Sequence, residues 1–250
     1  MKSLAHYIQE KLIIKKSINY KYFPETKEEL RTIIKKRIMQ GGNEVDLNDI
    51  DVSKVTDMSN LFEYTNFNGD ISKWNVSNVT NMNGMFSDCT LFNQDISSWD
   101  VSNVTNMNYM FDNCKSFNKD ISNWDVSNVT DMHGMFYNCE SLNQDISSWN
   151  VSKVKNMSAM FYLCKSFNQD ISSWDVSNVT DIRGMFSSCV KFNQDISTWD
   201  VSNVIYMRDM FLGCKAFNKD ISSWDVSNVT NNSNMFDDCK IEEKYKPKFK

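Results

Sequence analysis

The chain has 250 residues, of which 24% are charged, and its mean hydropathy is −0.50. It contains no apolar run of the ~18 residues that a membrane-spanning helix requires. The net charge of −5 is uneven: residues 1–42 carry +6, residues 240–250 carry +3, and the body between them carries −14. An acidic body with basic ends lacks the continuous basic face that nucleic-acid binding calls for, so no nucleic acid is expected among the partners.

Residues 1–19 read as an amphipathic leader, with Leu4, Tyr7, Ile8, Leu12 and Ile14 on one helical face. Its scattered charges and missing cleavage site do not make a secretory signal. The expected role is a capping turn, with a docking or packaging tag as the alternative, since the opening is similar to those of many phage-encoded proteins. Residues 20–49 read as a helical N-terminal cap. Thr26 and Glu29 form a capping box after Pro24, and Leu30, Ile33, Ile34 and Ile38 make an apolar stripe. Lys35, Lys36 and Arg37 are expected at the negative end of the helix dipole, and Gly41-Gly42 ends the helix.

Residues 50–239 are organised by a fixed period. Trp74, Trp99, Trp124, Trp149, Trp174, Trp199 and Trp224 are all the tryptophans, at steps of 25 residues. A period of that size signals stacked repeats in place of a conventional globular domain. The first repeat is degenerate, with Ile50 at the Trp position and Thr65 at the Cys position, as terminal repeats usually are. In the copy around Trp99, Ile96, Trp99 and Val101 suit a short strand. Val104, Met107, Phe111 and Cys114 have the spacing of one helical face. The expected fold is an α/β repeat solenoid of about eight 25-residue coils, each a short strand, a turn and a short helix, with an N-terminal helical cap. Neighbouring coils about 4.8 Å apart would bury Trp, Phe and Met in one continuous core. Residues 240–250 read as a charged tail that ends the stack.

The unit I-S-x-W-D-V-S-N-V-T-x-M-x-x-M-F-x-x-C-x-x-F-N-x-D, over roughly residues 44–240, closely resembles the BspA-like, DUF285-type leucine-rich repeat. The resemblance implies a leucine-rich-repeat-like stack, surface adhesion and protein–protein contact, and it carries over no catalytic residue. Surface members commonly have a signal and an anchor, and neither is visible here. A cell-surface location, a cytoplasmic one and a phage-associated one therefore stay open.

No constellation for chemistry stands out. The cysteines, from Cys89 to Cys239 at one repeat position, lack the short paired spacing of zinc sites and are expected as buried free thiols. His6 and His133 are the two histidines, and His133 is expected to be solvated with no special partner. Two acidic columns recur. One runs from Asp70 through Asp95 and Asp120 to Asp220. The other runs beside the tryptophans from Asn75 through Asp100 and Asp125 to Asp225. Both are expected to accept backbone N–H bonds at turns, with Ca²⁺ as the alternative because it prefers carboxylate and carbonyl oxygen. Asn68, Asn93, Asn118 and their successors suggest an asparagine ladder, and sequons such as Asn78-Val79-Thr80 recur with the repeat.

Comparing the copies locates the variation. Ser97, Asp100 and Ser102 barely change from coil to coil, whereas Tyr109, His133, Ala159, Arg183 and Asp209, with turn residues Tyr137, Tyr162 and Leu212, differ. These eight form the candidate interaction surface. The expected function is a non-enzymatic, monomeric scaffold for protein–protein or cell-surface recognition, without a cofactor. The alternative is an adhesin-like module that binds a glycan on the repetitive Ser/Asp face.

Overall fold

The computed structural model describes residues 19–250. The leader therefore lies outside the described residues, apart from its last position. A single helix, α1 (Lys27–Gly41), precedes eight coils. Thr26 caps it: its hydroxyl accepts the Glu29 N–H at 3.2 Å, and the Glu29 carboxylate accepts the Glu25 N–H at 2.8 Å. At the other end Gly42, with φ of 78°, donates its N–H to Ile38 O, a backbone geometry that favours glycine. Leu30 and Ile34 are buried on the first coil, with Ile33 and Ile38 beside them. The expected charge–dipole pairing does not occur, because the last turn of α1 holds no basic residue. Arg37 turns aside to Asp49 instead, at 2.7 Å, and donates to Asp46 O. Lys27 reaches Asp57 and Ser59. The helix thus closes the first coil with apolar contacts and tethers its rim with ions.

Each coil is built differently from the expected strand, turn and helix. Among the described residues no coil contains a helix, and strand pairing is reduced to one parallel bridge per coil. These bridges run Asp57–Asn81–Asn106–Asp131–Asn156–Asp181–Tyr206–Asn231. The apolar spacing that resembles a helical face is produced by successive three-residue turns. In the Trp99 copy, Trp99 N–H bonds Ile96 O, Val104 bonds Val101, Met110 bonds Met107, Cys114 bonds Phe111 and Phe117 bonds Cys114. Both ends of each turn point into the core.

The reason helix fails is visible in the backbone bonds of residues 107–114. N–H groups of Met107, Tyr109, Phe111 and Asn113 point forward to Asp131, His133, Met135 and Tyr137 of the next coil, while those between close local turns. Tyr109 and Asn113 are left-handed, with φ of 53° and 57°, and equivalent residues in other coils share that sign. An α-helix would need every one of those N–H groups internally. Here half are given away.

Side chains extend the stacking. Phe62, Phe86, Phe111, Phe136, Phe161, Phe186, Phe211 and Phe236 form a column with successive ring centroids 5.4–5.9 Å apart. Trp74 and Trp99 are parallel at 6.5 Å, and each indole N–H bonds a carbonyl of the preceding coil, as Trp99 does to Ile71 O. Offset stacking of this kind adds to the burial of each large ring. The asparagine ladder forms as expected: Asn93 N–H bonds Asn68 Oδ1, and the pattern repeats through Asn218, which accepts from Glu242 N–H.

Two boundaries move. Leu47 takes the place of Ile71, since Trp74 donates its indole N–H to Leu47 O, so the first coil starts before Ile50. The tail is also more than a charged end. Ile241 and Pro247 are buried, Tyr245 O accepts the Ile221 N–H, and Tyr245 and Phe249 pack on the last coil.

Two substitutions test this arrangement by urea denaturation. Phe136→Ala should cost about 3–5 kcal/mol through lost transfer energy and a residual cavity. Asn168→Ala should cost about 0.5–1.5 kcal/mol, because it removes the exposed bond that its side chain accepts from the Asn193 N–H at 2.9 Å.

Candidate functional site

Many of the coil-to-coil differences fall on one wall, the segment from the bridge residue to the second left-handed residue, while the position after each cysteine, from Thr90 and Lys115 to Val190 and Lys215, varies beside it. Within it the structure brings some of the eight expected residues together. Tyr109 donates its hydroxyl to His133 Nε2 at 2.5 Å. The tautomer follows from the other ring nitrogen: His133 Nδ1 lies 2.8 Å from Ser158 O, which can only accept, so Nδ1 carries the proton. Ser158 Oγ, 2.6 Å from Nδ1, gives its own proton to Asn156 Oδ1 at 2.6 Å. His133 is thus half-buried and bonded on both sides, not solvated and unpartnered. The trio superficially resembles a nucleophile with a base. Its protons run the wrong way for that, since Nδ1 donates toward Ser158, and Ser158 is only 4% exposed.

Tyr137 and Tyr162 stack face to face at 4.5 Å with an angle of 12°. Arg183 grips Asp181 through two nitrogens and lies over the ring of Tyr206 at 5.2 Å. Asp209 pairs with Arg208 and accepts from Asn234 Nδ2. Ala159 and Leu212 are half-buried wall positions whose side chains join none of these groups. Three pieces therefore lie along the wall: Tyr109 with His133, the tyrosine pair, and the arginines with Tyr206.

The sequence pattern did not single out Asp112, which sits among the first two pieces. Burial, then the charge of Asp88, pushes its carboxyl up to about 6. Its charge in turn helps raise the hydroxyls of Tyr109 and Tyr137, for both of which burial is the larger cause. Ser87 donates to it at 3.2 Å, and Asn113 donates to Asp88 at 2.6 Å. A signal existed: Ser87, Asp112, Tyr137, Tyr162, Ser187 and Leu212 share one repeat position and differ widely. Tyr206 replaces the bridge-position Asn or Asp and is 42% exposed.

The uniform columns are occupied by structure. Asp95, Asp120, Asp145 and Asp170 each accept the N–H of the serine two residues on, as do Asp100, Asp125 and Asp175 in the second column. The Ser97 hydroxyl and the Ser122 N–H hold Asp95 and Asp120 below the usual carboxylate range. A third such column, at the bridge residues Asn81, Asn106, Asp131 and Asn156, went unrecognised in the sequence. The Asn78 amide of the Asn78-Val79-Thr80 sequon donates to Ser53 O. The thiols of Cys89 to Cys214 are free, buried and bonded to phenylalanine carbonyls of the preceding coil, such as Cys114 to Phe86 O. Among the described residues no group of three or more His, Cys, Asp or Glu is placed to hold a metal, and no helix is long and apolar enough to cross a membrane.

Architecture and site together define a repeat protein whose coils differ on one wall. The family described as "Mycoplasma protein of unknown function, DUF285" matches residues 32–148 and 130–247, and the chain belongs to that family. No curated protein matches it.

Two measurements follow. Burial pushes the thiols up, Cys89 to about 11, so in the folded protein a thiol-reactive dye at pH 8 should label half-exposed Cys239 ahead of the other six. Asp112 has a folded value above its ordinary one of 3.8, so its contribution to stability is present below about pH 4 and is lost as pH rises through about 6. Asp112→Asn should therefore be more stable than the parent above pH 6, with the difference shrinking toward pH 4, as read by urea midpoints.

Proposed function

We propose that the chain is a non-enzymatic recognition scaffold, a leucine-rich-repeat-like stack of the BspA-like kind, that binds a macromolecular partner through its variable wall. One observation carries this reading: on this wall, large side chains that differ between coils contact one another across coils, as Tyr137 does Tyr162. A surface that repeats identically offers every coil the same contacts and cannot select an irregular partner. A wall rich in tyrosine and arginine, the residue types enriched where proteins meet, can.

The repetitive Ser/Asp face suits a glycan polymer less well. Hydroxyls of Ser97, Ser102 and Ser177 already donate to the neighbouring aspartates at 2.6–2.7 Å, which leaves them fewer bonds to offer a sugar. Tyr137 and Tyr162 stack on each other and Arg183 lies over Tyr206, so these ring faces are already covered on one side.

The test is affinity capture from host extract beside a glycan array, with the parent protein and the Tyr137→Ala/Tyr162→Ala double variant. The expected outcome is a protein partner retained by the parent and weakened at least ~10-fold in the variant, the size of loss that central aromatic contacts produce. Retention of glycans alone, unaffected by the substitution, would replace this reading with the Ser/Asp face.

A further inference from the structure

Charge decides what kind of partner the wall fits. In its N-terminal half Tyr109 lies beside Asp112 and Asp131, Tyr137 beside Asp112, and Asp88 adjoins Asp112 through its backbone. Among the described residues no lysine or arginine pairs with these three carboxylates, although cations pair with Asp49, Asp57, Glu140, Asp181 and Asp209 elsewhere. Their bonds are to neutral groups: Asn113 Nδ2 to Asp88 at 2.6 Å, Ser87 Oγ to Asp112 at 3.2 Å and Asn108 Nδ2 to Asp131 at 3.0 Å. Neutral donors orient a carboxylate without cancelling its field. Burial first, and the charge of neighbouring Asp88 second, push the Asp112 carboxyl up, and burial followed by nearby charge including Asp112 raises the hydroxyls of Tyr109 and Tyr137.

Resting on the recognition reading above, we infer that this half of the wall binds a cationic protein segment, one presenting lysine or arginine side chains. An incoming ammonium or guanidinium would neutralise the Asp88–Asp112 pair. It would also meet the hydroxyl oxygens of the tyrosines, which accept from an ammonium or guanidinium, a combination that favours cations over acidic partners. Tyr109 is 37% exposed, so the contact needs no rearrangement of the coils. The other half of the wall differs in kind, because Arg183 and Arg208 there are already paired, and it would form the neutral continuation of the same footprint.

The experiment measures binding of fluorescent oligolysine and oligoglutamate peptides to the full chain by anisotropy. The parent should bind oligolysine and not oligoglutamate. Asp88→Asn with Asp112→Asn should weaken oligolysine binding about fivefold or more. Asp175→Asn with Asp200→Asn, more than two coils further along the array and equal in charge removed, should change it less than about twofold. Because asparagine keeps the acceptor oxygen, each pair should retain the parent's cooperative urea transition. Equal weakening by both pairs would mean diffuse attraction to an acidic body and would overturn the inference. So would failure to bind oligolysine. If oligolysine fails while Tyr137→Ala/Tyr162→Ala still abolishes capture of a host protein, the wall recognises a partner that is not cationic, and the broader reading stands without this one.

Discussion

The structure depends on backbone donors that have no acceptor inside their own coil. On the wall from Met107 to Asn113, alternate N–H groups reach the carbonyls of the following coil, and every interior coil repeats the arrangement. A buried peptide donor left without a partner costs more than the ordinary bond contributes, so an isolated coil has little reason to keep its shape. Stability therefore belongs to the interfaces, as in other one-dimensional arrays. The same dependence explains both ends. Helix α1 supplies Leu30 and Ile34 where a preceding coil would supply core, and the tail supplies Ile241, Tyr245 and Phe249 at the other end.

Much of this was legible in the sequence because period and burial are coupled. The tryptophans at fixed steps and the Cys column each mark a position with one inward role, the asparagine ladder marks one bonding role at the rim, and each occupies that role here. The conformation inside the coil was not legible. Val104, Met107, Phe111 and Cys114 satisfy a helical spacing as well as they satisfy consecutive three-residue turns, and apolar pattern alone cannot separate the two. What separates them is where the N–H groups go, and that is a property of the neighbouring coil. Arg37 shows the same limit at a smaller scale. Its place near the end of α1 suggested a dipole partner, but Asp49, twelve positions on, offered a closer carboxylate.

The candidate wall was half legible for a related reason. Variation between copies found Tyr109, His133, Tyr137, Tyr162 and Arg183, since a repeat serves as its own alignment. It did not show that His133 would be held between Tyr109 and Ser158, because those contacts join three coils at different repeat positions. It also passed over Asp112, which looks unremarkable in a chain rich in aspartate. Most aspartates here are consumed by turns, and Asp112 is not, which becomes apparent only when the serine two residues beyond each of the others is seen to donate to it.

The first left-handed position of each coil reads Asn60, Gly84, Tyr109, Gly134, Ala159, Gly184, Asp209, Asn234, so that occupied and empty positions alternate until the last two. Tyr109 spreads its ring over Gly134, where a Cβ would sit 2.5 Å from that ring, and Asn60 covers Gly84 in the same way. Neighbouring coils are thus fitted to each other in pairs, a residue with reach followed by one with none. Gene duplication or deletion of one coil would set two occupied positions, or two empty ones, side by side. The heritable module in the first half of the array is accordingly the coil pair, twice the length that the repeating tryptophans announce.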